Sequence, residues 1–104
     1  VKKFGNEKNE VARDIKQNKK SEYIISGYAL VDKKEKTYDS FIIKTDSMGN
    51  KITRLDFNLM ASNQLLELNI EYNEKTNIES YIGAGNIFNE DGKSEIWFVK
   101  FSMD

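Results

Sequence analysis

Carboxylates are plentiful in this 104-residue chain, which contains no His and no Cys. Without His the usual general base near neutral pH is missing. Without Cys there is no thiolate nucleophile, disulfide or thiolate zinc site. Hydrolysis run on carboxylates alone, as in glycosidases, needs two of them about 5 to 9.5 Å apart across a cleft. The candidates are Asp14, Glu22, Asp32, Asp39, Asp56, Glu67, Glu71, Glu95 and Asp104. Most of them sit opposite apolar residues in alternating strands, which is the pattern of a solvated face. The chain therefore reads as no enzyme, with no catalytic residue and no cofactor. Asp46-Ser47-Met48-Gly49-Asn50 begins like a calcium loop, but the ligand run that should end in Glu does not continue past Thr53. It reads as a plain turn, and no metal is expected. Gly83-Ala84-Gly85 resembles a phosphate loop, yet no helix pattern follows to supply N-terminal amides.

Binding residues are easier to nominate than catalytic ones. Tyr28, Tyr38 and Phe88 border a variable hairpin loop, where exposed rings would stack on a carbohydrate or a protein partner. The plainer reading makes them ordinary sheet aromatics. Trp97 reads as core. Lys44 and Lys100 recur at one repeat position and are expected on an outer face, their stems covering apolar surface. Lys19-Lys20 and Lys33-Lys34-Glu35-Lys36 read as loop solvation.

Composition sets the outer limits. Sixteen Lys and Arg against 17 Asp and Glu leave a net charge of -1, without the basic excess a nucleic-acid partner requires. No apolar run is long enough for a signal peptide or a membrane helix, so no membrane insertion is expected. One Trp, five Tyr and six Phe argue against disorder. The start at Val1 and the stop at Asp104, directly after an apolar strand, suggest a segment of something longer.

Strand signals dominate the elements that would carry these side chains. Tyr23 to Val31 and Ser40 to Thr45 are rich in β-branched and aromatic residues and are joined by a polar loop. Lys51 to Phe57 and Leu66 to Tyr72 alternate with period two, and Ser80 to Phe88 leads through Asp91-Gly92, a hairpin turn signal, to Glu95 to Phe101. Only Asn6 to Lys20 has two readings, a strand from Val11 to Gln17 or a short amphipathic helix.

Self-similarity runs along the whole chain. Tyr23-Ile24-Ile25-Ser26-Gly27 matches Tyr81-Ile82-Gly83-Ala84-Gly85 at an offset of 58, and Asp39 to Lys44 matches Glu95 to Lys100 at 56. Val11, Ile15 and Asn18 match Leu66, Ile70 and Asn73 at 55, and Phe4 matches Phe57 at 53. These residues resemble the tandem β-propeller blade repeats of secreted or surface-attached bacterial and archaeal proteins. The first copy shows Phe4-Gly5, Tyr23 to Gly27, Asp39 to Asp46 and Gly49-Asn50. The second departs from it, with Asn58 in place of Gly and Phe101-Ser102 in place of Thr-Asp.

The expected fold is all-β: two tandem four-stranded antiparallel meander units, about 1–57 and 58–104, the second incomplete, with residues 1–5 completing the first blade. The alternative is one antiparallel meander with an N-terminal helix, acting as an inhibitor or immunity-type partner. Resemblance to the repeats implies a non-catalytic binding or scaffold module at a bacterial surface or outside the cell. Two blades do not close a ring, which typically takes about 4 to 8, so a homo-oligomer or a larger parent chain would complete it.

Overall fold

The computed structural model describes residues 1–5 and 9–103. Its seven strands are β1 (Glu10–Gln17), β2 (Tyr23–Asp32), β3 (Thr37–Thr45), β4 (Lys51–Asp56), β5 (Asn63–Asn73), β6 (Ile78–Phe88) and β7 (Ser94–Phe101). Each pairs antiparallel with its chain neighbour, giving a first sheet β1-β2-β3-β4 and a second sheet β5-β6-β7. The all-β meander is as expected, and among the described residues the second sheet has three strands.

Two expectations need correction. Segment Val11 to Gln17 is strand, and no helix occurs among the described residues, so the N-terminal helix alternative is not realised. Asn6 to Lys8 of that segment lie outside the described residues. Residues 1–5 form no strand, because β4 already completes the first sheet. Phe4 instead packs against Ala29, Phe41 and Ile43 on one face of that sheet.

The hairpin loops share one device. Each opens with an Asn or Asp whose side-chain oxygen accepts hydrogen bonds from the loop's own backbone N–H groups, forming an Asx turn. Asn18 accepts from Lys20 and Glu22, Asp32 from Lys34 and Glu35, and Asp46 from Met48 and Asn50. Asn73 accepts from Lys75 and Thr76, and Asn89 from Asp91 and Lys93. Gly49 and Gly92 supply positive φ in the β3–β4 and β6–β7 turns.

Alternation divides each sheet into two faces. On the first sheet, Ile24, Ser26, Ser40 and Ile42 are fully buried on what we term the back. Ile25, Ala29, Phe41 and Ile43 lie on the front. The second sheet turns its own front, with Leu65, Leu68, Tyr81, Trp97, Val99 and Phe101, onto the back of the first, joining Ile24 and Ile42 in one core. Phe57, at the end of β4, meets Trp97 and Phe101 edge-on at 5.5 and 5.6 Å. Burying these side chains contributes roughly 1.5 to 3 kcal/mol each. The second sheet's own back carries Ile82, Ala84, Ile96 and Phe98, of which Ile96 is 85% and Phe98 67% exposed.

Register shows the two sheets to be built alike. Gly27 pairs with Ala12 beside a bulge at Arg13, and Gly85 pairs with Leu65 beside a bulge at Leu66. A Cβ on either glycine would fall deep inside the carbonyl oxygen of Val11 or Gln64, which is why only Gly fits opposite the bulge. First strands therefore correspond at an offset of 53: Ala12 with Leu65, Asp14 with Glu67 and Ile15 with Leu68. The expected offset of 55 holds at the turn, where Asn18 and Asn73 both open an Asx turn, but is two residues off within the strand. A slip of two away from the bulge preserves side-chain facing, as for Ile15 and Ile70, so the apolar pattern alone does not reveal it.

Candidate functional site

An open cleft of about 680 Å³ lies at one end of the stack. Three connections wall it: the β2–β3 loop with Glu35 and Lys36, the β4–β5 link with Met60, Ala61 and Ser62, and the β6–β7 turn with Asn89, Glu90 and Gly92. Tyr38 and Phe88, from different sheets, both line it. Tyr28 stands behind Tyr38, ring edge to ring face at 5.4 Å, and does not line the cleft. All three rings are half-buried. The structure thus unites two of the nominated aromatics and gives the third a supporting position.

The β4–β5 link that walls the cleft is held by groups absent from the candidate binding residues. Asp39 and Asn63, both buried, contact each other at 3.2 Å. Asp39 also accepts from the backbone N–H of Asn58 and Leu59, while Asn63 accepts from Ser40 N–H. Ser62 Oγ accepts from Tyr38 N–H, and Phe88 N–H donates to the Ser62 carbonyl. Through these bonds the ring-bearing strand ends and the link hold a common position. Asp39 stands two residues before Phe41, the start of an apolar run, and is matched by Glu95, which marks it as a repeat position; its burial is not visible in the alternation.

The other nominated carboxylates are largely occupied within the fold. Asp14 reaches across the sheets to accept from Leu68 N–H at 2.9 Å, and also pairs with Lys16. Burial opposes its ionisation, but the bonds from Leu68, Lys16 and Ile15 outweigh that and leave its pKa lowered. Asp46 is held below the usual carboxylate range chiefly by Asn50 N–H, consistent with a self-closed turn. Arg54 lies over the Phe41 ring at 4.5 Å and pairs with Glu10 and Asp56. Burial works against its charge, and the two carboxylates overcome this and raise its pKa. Glu71 pairs with Lys100, and Glu22 with Lys44. Asp104 lies outside the described residues. No group of three or more His, Cys, Asp or Glu suited to a metal ion occurs among the described residues.

Lys44 does not sit on an outer face. Its ammonium is tucked between the sheets, donating to the Met103 carbonyl at 3.1 Å, because the back of the first sheet is an interface. Lys100, its counterpart, stays half-exposed. Trp97 is core, as its repeat position suggests. Near Lys44 the buried Tyr81 hydroxyl donates to Glu79, and burial pushes its pKa up to about 12. No helix among the described residues is long and apolar enough to cross a membrane. No family, curated protein or solved structure matches this chain.

Proposed function

We propose that the chain is a non-catalytic binding module, a two-blade segment of a β-propeller-like protein working outside the cell or at its surface. Its ligand enters the cleft lined by Tyr38 and Phe88. One observation carries this reading: two aromatic rings from separate sheets converge on an open cleft whose rim supplies Gln64, Asn89 and Glu90. Such a mixture suits a saccharide, whose apolar ring faces stack on aromatics while amides and carboxylates take its hydroxyls. The protein-inhibitor alternative loses its distinguishing feature, since Glu10–Gln17 is strand.

A glycan array probed with the purified chain, followed by calorimetry on the best saccharide, tests the proposal. Tyr38→Ala and Phe88→Ala are each expected to weaken binding at least about tenfold, near 1.4 kcal/mol. Circular dichroism should remain unchanged. Binding that survives both substitutions, or an array with no saccharide bound, overturns the reading.

A further inference from the structure

We infer that the cleft takes an uncharged oligosaccharide laid across the ends of both sheets, with Tyr38 and Phe88 each stacking a separate sugar unit. The inference rests on the saccharide reading above and adds the length and charge of the ligand. Strand register carries it. Along β3, Tyr38 has the same facing as Ser40 and Ile42, which puts its ring on the back of the first sheet. Along β6, Phe88 has the same facing as Ile82 and Ala84, which puts its ring on the back of the second. The second sheet turns its front to the back of the first, so its own back looks away. The two rings therefore rise from the same side of successive layers, displaced by about the 10 Å that separates stacked sheets. They do not face each other across a slot, so a single sugar is not clasped between them.

Ser62 fixes this step from one platform to the next. Its Oγ accepts from Tyr38 N–H at 2.9 Å, and its carbonyl accepts from Phe88 N–H at 2.9 Å. One residue of the β4–β5 link thus ties both ring-bearing strand ends together. The cleft volume of about 680 Å³ falls in the range of sites that bury ligands larger than one sugar. Thr37, Gln64 and Asn89 line it and can take hydroxyls, while its charged side chains are Glu35, Lys36 and Glu90. Two carboxylates against one ammonium favour a neutral chain over a chain of uronic acids.

NMR titration with glucose, mannose and N-acetylglucosamine, each as a length series of one to four units, and with oligogalacturonates of the same lengths, tests this. At least one neutral series is expected to bind, its affinity rising at least about tenfold from the single sugar to the longer members. This length dependence is read on the wild-type chain and needs no variant. Tyr38→Ala and Phe88→Ala, checked by circular dichroism, are each expected to remove that gain, while binding of the single sugar depends on at most one of the two rings. A single sugar that binds as tightly as its oligomers, or that is weakened by both substitutions, overturns the inference and leaves the saccharide reading standing. Tighter binding of oligogalacturonates than of every neutral chain also overturns it. Failure of every saccharide to bind overturns both.

Discussion

Single residues carry a disproportionate part of this architecture, and Gly85 is the clearest case. It faces the bulged carbonyl of Gln64, which is backbone and has little room to move. Gly85→Ala is expected to cost about 2 to 4 kcal/mol in urea denaturation. At Gly83 the nearest group is the end of the Leu65 side chain, 2.7 Å away and able to rotate, so Gly83→Ala should cost clearly less. Asp14 links acid stability to the sheet interface. Its folded pKa lies below the ordinary aspartate value, so on acidification the unfolded chain takes up this proton first. Its stabilisation is complete above that value and disappears as pH falls through the lower folded value. Asp14→Asn should lower neutral-pH stability by about 1 to 2 kcal/mol and flatten this acid limb. Tyr81 acts at the opposite extreme. With a folded pKa near 12 against 10.0 unfolded, it makes stability fall as pH rises between those values, and Tyr81→Phe should remove that loss. Asp14 was legible in the sequence as a charge on an alternating strand; its reach to Leu68 was not, because a long-range bond depends on which sheets meet.

Elements show what periodic sequence reveals and what it conceals. Strands β2, β3, β6 and β7 were legible because β-branched and aromatic runs bounded by polar turns have no helical rival. The Val11 to Gln17 segment was undecided locally and became strand because β2 offers it a complete ladder. The offset of first strands was misjudged by two because a slip of two residues leaves the facing of a period-two pattern unchanged. Among the candidate binding residues, Tyr38 and Phe88 were visible as aromatics beside loops, whereas Ser62, Asn63 and Asp39 gain their roles only when the β4–β5 link folds back. The link leads out of β4 through Phe57. Phe57→Ala should remove the edge-on contacts with Trp97 and Phe101 and cost about 2 to 4 kcal/mol, read as a shift in the urea midpoint.

At the scale of the whole molecule, extents of 43 × 32 × 17 Å describe two thin sheets stacked back to front. On the two backs, the stack buries Ser40 and Ile42 and leaves their counterparts Ile96 and Phe98 exposed, and this asymmetry is the central claim. Because the chain has no Cys, a thiol introduced at either member reports burial directly. Ser40→Cys and Ile96→Cys occupy equivalent sites, 0% and 85% exposed. Thiol labelling under native conditions should modify Cys at 96 rapidly, while Cys at 40 stays protected until the chain unfolds. Equal labelling rates at the two sites would contradict the back-to-front stack.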